Sequence, residues 1–137
     1  MRSIVLDSGA FIAAQSYDAR LLAYIKAAEQ NDVSLYVSAS VIAEIWRKPA
    51  PANAAKLLSQ VTVVPLDIER SKRVGELLGA TGTTQLVGAA VAALAVELAP
   101  SLVLTSDVAD IEQLVRAAGV TCNLRARSRS SVIAELV

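Results

Sequence analysis

The sequence contains no histidine and a single cysteine, Cys122. Imidazole chemistry is therefore closed to it, as are an internal disulfide framework and a zinc cluster built from Cys and His. Aromatic residues are scarce at 4%, with one Phe, one Trp and three Tyr, and the six Gly and four Pro are too few for a loop-rich or low-complexity chain. Neither sign of charge prevails. Thirteen Lys and Arg balance 13 Asp and Glu, so the chain as a whole has no cationic field to steer it onto nucleic acid, and any RNA or DNA site must be local. Long apolar runs are also missing. Only Ile4 to Leu6 precedes Asp7, which is no signal-peptide core; the longest nearly apolar run, Leu86 to Val96, is too short to span a bilayer and ends at Glu97. The expectation is a cytoplasmic protein with no membrane association.

What is present suits a compact domain. A chain of 137 residues, 54% hydrophobic and 19% charged, is long enough to bury one substantial core and too apolar to stay disordered. Short runs rich in Val, Ile and Leu recur at Ile4 to Leu6, Leu35 to Val37, Val61 to Leu66, Leu102 to Thr105 and Val120 to Leu124, and read as buried strands. Segments with helical spacing lie between them: Leu21, Leu22 and Ile25; Val41, Ile42 and Ile45; Leu57 and Leu58; Val74, Leu77 and Leu78. This alternation predicts an α/β domain with a mostly parallel five-stranded sheet flanked by helices. Asp18, and Ser38 or Ser40, stand where helix caps are expected. Phe11 and Trp46 read as core. The domain is expected over residues 1–124, with a basic C-terminal tail over 125–137 that carries Arg125, Arg127 and Arg129. The apolar end of that tail, Ser131 to Val137, is suited to docking as a last strand or helix.

With imidazole and thiol clusters excluded, carboxylates remain for chemistry. In an open parallel sheet, ligands bind beyond the carboxyl ends of the strands, above all where strand order reverses. Asp7 ends the first strand and Asp107 follows the fourth; if those strands are neighbours, the two acids converge. Glu44 lies about one and a half turns into the helix after the second strand, and Asp110 sits three residues past Asp107 on the same helical face. Such a cluster suits Mg²⁺ or Mn²⁺, which take oxygen ligands and need only one or two direct carboxylates beside water and substrate phosphate. Each acid also has a plainer reading. Asp7 is a strand-end cap, Glu44 a solvated helix residue, and Asp107 and Asp110 complement a helix dipole. Thr105 and Ser106 cap the same helix or hydrogen-bond a metal-bound water. Arg47 and Lys48 are candidates for RNA phosphate contact, against the reading that they are simply solvated.

The segments Val5-Leu6-Asp7-Ser8-Gly9-Ala10-Phe11-Ile12-Ala13, Val41-Ile42-Ala43-Glu44-Ile45-Trp46-Arg47 and Val103-Leu104-Thr105-Ser106-Asp107-Val108-Ala109-Asp110 together resemble the PIN-domain ribonucleases, most closely the VapC-type toxins of toxin–antitoxin modules. The resemblance spans residues 3 to about 124. It implies a PIN-like fold, Mg²⁺ or Mn²⁺ held by acids, endonucleolytic cleavage of RNA, a homodimer, and inhibition by a VapB-like antitoxin. Asp7, Glu44 and Asp107 match the family's metal-site and catalytic acids, and Asp110 an additional acid often found there. Two positions depart from the pattern. The family places a ligand Asp where this chain has Gly88, and related toxins frequently have a second Asp where Gln85 stands. Gly88 also costs roughly 1 kcal/mol inside an Ala-rich helix, so it reads either as a close-packing residue or as a lost ligand. A PIN domain without catalysis, binding antitoxin or RNA, is thus the alternative to a nuclease. A receiver-like signalling domain also ends its first strand in Asp, but it needs a paired acid beside Asp7, a phosphorylatable Asp after the third strand and a Lys after the last, none of which is present.

Overall fold

A computed structural model of the chain describes residues 3–47, 51–121 and 132–137. In chain order the described elements are β1 (Ser3–Leu6), α1 (Ser8–Gln15), α2 (Ala19–Gln30), β2 (Ser34–Ser38), α3 (Ala39–Ile45), α4 (Ala52–Leu58), β3 (Thr62–Val64), α5 (Ile68–Thr81), α6 (Leu86–Glu97), β4 (Ser101–Thr105), α7 (Val108–Thr121) and β5 (Val132–Leu136). The five strands form one parallel sheet in the order β3-β2-β1-β4-β5. The mostly parallel, five-stranded α/β architecture expected from the alternating pattern is the one observed.

Burial explains the strand order. In β1 and β4 every residue is buried, which marks central strands covered on both faces. Strands β3 and β5 are short or half exposed, as sheet edges are. The core is closed by α6, whose apolar residues run almost all the way round the helix; Ala89, Ala90, Val91, Ala92, Leu94, Ala95 and Val96 are all buried. The helix can be this apolar because it lies against the sheet with α5 and α7 on its flanks. Glu97 at its end is fixed by Arg70 Nε (3.2 Å) and Arg73 Nη1 (3.1 Å) from α5.

Helix starts follow the acidic caps. Asp18 accepts from Leu21 N–H at 2.9 Å and Asp67 from Arg70 N–H at 2.9 Å. Ser38 occupies the cap position of α3 but does not cap it; its hydroxyl pairs with Ser40 Oγ at 2.9 Å instead.

Four expectations need correction. Val120 and Thr121 belong to α7, where Ile111, Leu114, Val115 and Ala118 carry the buried helical stripe through that region, and Val120 itself is 74% exposed. The fifth strand is Val132–Leu136, so the sheet continues past the boundary expected at residue 124. The third strand is shorter than expected, because Val61, Pro65 and Leu66 lie outside its ladder with β2. Finally, Phe11 is core at 1% exposed but Trp46 is not; the residue follows the last turn of α3 and is 44% exposed. Cys122, Arg125, Arg127 and Arg129 lie outside the described residues.

Candidate metal and phosphate site

Strand order reverses between β1 and β4. From β1 the sheet grows through β2 to β3 on one side, and from β4 to β5 on the other. Leu6 is in register with Leu104, so the residues that follow these strands emerge side by side. Asp7 is the first residue past β1 and Asp107 the second past β4, and the condition for their convergence is met.

Asp7 is the most constrained residue of the group, at 8% exposed. Its backbone N–H continues the ladder to Leu104 O at 3.0 Å. Its side chain caps α1, with Oδ1 accepting from Ser8 N–H at 2.8 Å. The other oxygen, Oδ2, accepts a 2.7 Å bond from the buried hydroxyl of Thr105. That hydroxyl in turn accepts from Asp107 N–H at 3.0 Å. One threonine therefore sets the spacing of the two strand-end acids. On the outer side, Ser8 Oγ donates to Glu44 Oε1 at 2.5 Å, which ties exposed Glu44 on α3 to the start of α1.

Asp107 is exposed and Asp110 half exposed, in the loop and first turn that open α7. The Asp110 carboxyl holds that of Asp107 above the usual carboxylate range, first through a side-chain hydrogen bond between them, then through desolvation and the negative charge of Asp110 and Asp7.

Asp7, Glu44, Asp107 and Asp110 all line one open cleft of about 630 Å³, together with Ser8, Ser106 and the start of α6. Ser106 is exposed there and makes no side-chain hydrogen bond to a carboxylate among the described residues. The α6 wall offers no acid; it presents Gln85 and Gly88. A Cβ on Gly88 would meet Leu114 Cδ1 at 3.3 Å and Gln85 Oε1 at 3.9 Å. This contact is tight only against the flexible end of a leucine, so helix packing leaves room for a side chain at position 88. Arg47 lies outside the acidic cleft, on the rim of a neighbouring recess that shares Glu44. Lys48 lies outside the described residues.

Two residues of the site had no role assigned to them from sequence. Ser8 links Asp7 to Glu44, and its place directly after the strand-end acid was the signal. Gly9 is required by close approach, because a Cβ there would stand 2.7 Å from Ser106 N and 2.9 Å from Ser106 Cβ. Nothing local in the sequence announces that contact, since it depends on how α1 meets the loop after β4.

The donor chemistry suits a hard divalent cation, being oxygen alone, with mutual repulsion that a cation would relieve. The number of donors is small. Among the described residues no three acids stand together as a metal-holding group. The residues fit a cation held directly by one or two carboxylates and otherwise by water and substrate oxygen, the usual arrangement for Mg²⁺.

The chain matches no family model and no curated protein. Among solved structures it is similar to a chain in the crystal structure of VapBC2 from Rickettsia felis bound to a DNA fragment from their promoter, with a TM-score of 0.65 over 98% of this chain and 98% of that one. The two are 16% identical. That likeness carries the fold, and the PIN-like architecture implied by the sequence resemblance is the architecture found. Among the described residues no single helix is long and apolar enough to cross a membrane.

Proposed function

We propose that this protein is the toxin member of a VapBC-like pair, a Mg²⁺- or Mn²⁺-dependent endoribonuclease that is inhibited by a VapB-like antitoxin and acts as a homodimer in the cytoplasm. The observation that carries the reading is the pair Asp7 and Asp107, delivered to one cleft by neighbouring parallel strands and held together through the Thr105 hydroxyl. Asp7 and Asp107 would hold the cation, with Glu44 and Asp110 at its flanks. Bound there, the cation supplies charge stabilisation for a phosphodiester transition state and lowers the pKa of a water.

The chain's own residues do the rest. Thr105 keeps Asp7 and Asp107 at fixed separation, and Ser8 turns Glu44 toward the same cleft. With no imidazole, the groups on the cleft able to take a proton from an attacking water are carboxylates. The acidic cleft also suits an inhibitory peptide that presents Arg or Lys, because a bound cationic side chain would relieve the same repulsion as a metal ion.

A second reading is favoured by one feature, the α6 wall without an acid. With Gly88 and Gln85 there and no three-acid group among the described residues, the domain serves as an antitoxin- or RNA-binding module without turnover. Cleavage of a mixed RNA substrate by the partner-free protein, with Mg²⁺ or Mn²⁺, separates the two. Cleavage by the unmodified chain that is lost in Asp7→Asn supports the nuclease. Cleavage found only in Gly88→Asp assigns the native chain to binding, and cleavage that persists in chelator overturns the metal mechanism.

A further inference from the structure

Beside the acidic cleft lies a second, chemically different recess of about 280 Å³ between α1, α3 and α4. Phe11 and Ile12 form one wall, Ile45 another, and Pro51 and Ala54 a third. Ser8, Ile12 and Glu44 line both depressions, so the two open onto each other across the residues that tie Asp7 to Glu44. At the rim stands Arg47, exposed and not paired with any carboxylate among the described residues. Between the lining residues Ile45 and Arg47 comes Trp46, the chain's one tryptophan, left 44% exposed.

We propose that this recess is a nucleobase subsite, which receives one unstacked base of single-stranded RNA while the adjoining phosphate lies at the acidic cleft. This rests on the nuclease or RNA-binding reading above and names the part of the substrate read beside that site.

Three features select the occupant. The recess, at about 280 Å³, has room for one flat ring system. Its walls are apolar, while its mouth carries a free guanidinium, the combination with which proteins hold splayed-out bases and their phosphates. Trp46, the residue before Arg47 in the chain, adds an exposed aromatic ring, in a protein with very few aromatics to leave in water. The chain is neutral overall, so a local unpaired cation is the kind of site at which it can hold RNA at all. Gln15 also lines the recess, its side-chain oxygen accepting from Asn53 N–H at 3.2 Å.

The test is a binding experiment that needs no turnover. Trp46 fluorescence and a labelled strand are followed while short single-stranded RNA is titrated into the full chain, with Ca²⁺ replacing Mg²⁺. A series of the same RNA carries one abasic residue, moved position by position. Loss of one particular base is expected to weaken binding about tenfold and to abolish the Trp46 response, and loss of the others to do far less. Arg47→Ala and Ile12→Asp, both at exposed positions, are expected to erase the difference between that abasic strand and the intact one. If binding persists but every abasic strand binds alike, the subsite proposal is overturned and the recess belongs to a protein partner, with RNA binding itself intact. If the unmodified chain binds no RNA, both this proposal and the RNA reading beneath it fall. Trp46→Phe, read through the labelled strand, keeps the test valid should either variant unfold.

Discussion

Replacing Thr105 by Val removes one oxygen and keeps the shape of the side chain. The lost hydroxyl is fully buried, donates to Asp7 Oδ2 at 2.7 Å and accepts from Asp107 N–H at 3.0 Å. A hydrogen bond to a charged group contributes about 1.5–3 kcal/mol, and leaving a buried carboxylate oxygen without its donor falls at the upper end. Asp107 is an exposed residue, so water can replace the lost acceptor at its N–H and the share of that bond is small. The expected destabilisation is about 2–3 kcal/mol. With a urea slope of about 2 kcal/mol per molar, the unfolding midpoint falls by about 1–1.5 M. Thr105→Ser keeps the hydroxyl and loses a methyl group, at about 0.8 kcal/mol for transfer alone. The ordering is the test. Thr105→Ser must be the milder change in stability, and it must retain divalent-cation binding by calorimetry where Thr105→Val weakens it. Were Thr105→Val as stable as the parent, or were Ser the worse of the two, the hydroxyl would not be what spaces the two acids.

Other consequences concern the same cleft. Gly9→Ala forces a Cβ to within 2.7 Å of Ser106 N, a backbone atom that cannot rotate aside; overpacking of that kind costs about 1–3 kcal/mol, and an unchanged melting temperature would show that α1 and the loop after β4 are not in contact. Gly88→Ala meets only Leu114 Cδ1 at 3.3 Å, and the gain in helix propensity of roughly 1 kcal/mol is expected to offset that contact, leaving thermal stability level or slightly raised; a large loss would make position 88 a packing glycine. Asp107 carries a raised carboxyl pKa, chiefly through Asp110, so its protonated form is favoured in the folded chain. Its contribution to stability is therefore full at acid pH and declines as pH climbs from the ordinary carboxylate value through the raised one. Asp110→Asn removes the charge of its neighbour, lowers the Asp107 value and moves that decline to lower pH, which carboxyl-carbon NMR titration reads directly.

The parts of the fold legible in the sequence are those fixed by burial on two sides. Ile4 to Leu6 and Leu102 to Thr105 are apolar without alternation because both faces of β1 and β4 are covered, and their end residues could be named as site candidates for that reason. The run from Val120 to Leu124 has a similar composition and misleads. Only the preceding stripe at Ile111, Leu114, Val115 and Ala118 shows that a helix already claims its first residues. A short apolar run cannot declare its own period. Strand β5 is legible only as an apolar end suited to docking as a last strand or helix, since an edge strand with exposed Ile133 and Leu136 lacks the buried pattern that would decide between them. Trp46 follows the same logic, as its size suggests core while its place just past the end of α3 puts it in solvent.

Within the site, legibility divides along chain distance. Asp7 and Asp107 are separated by a hundred residues, yet strand-end position alone selects them, because topology does the rest. The contact that excludes a Cβ at Gly9 and the hydroxyl bridge through Thr105 depend on relative placement at the level of an ångström, which no pattern along the chain encodes. The sheet brings two acids together whatever stands on α6, since both come from its central strands. The third wall is contributed by a helix whose sequence is otherwise devoted to filling the core, so its cleft-facing positions can lose an acid without disturbing the fold. For that reason the fold can place Asp7 and Asp107 side by side with Gly88 on the facing helix. Placing a carboxylate at position 88 is then a change in chemistry that the flexible end of Leu114 permits.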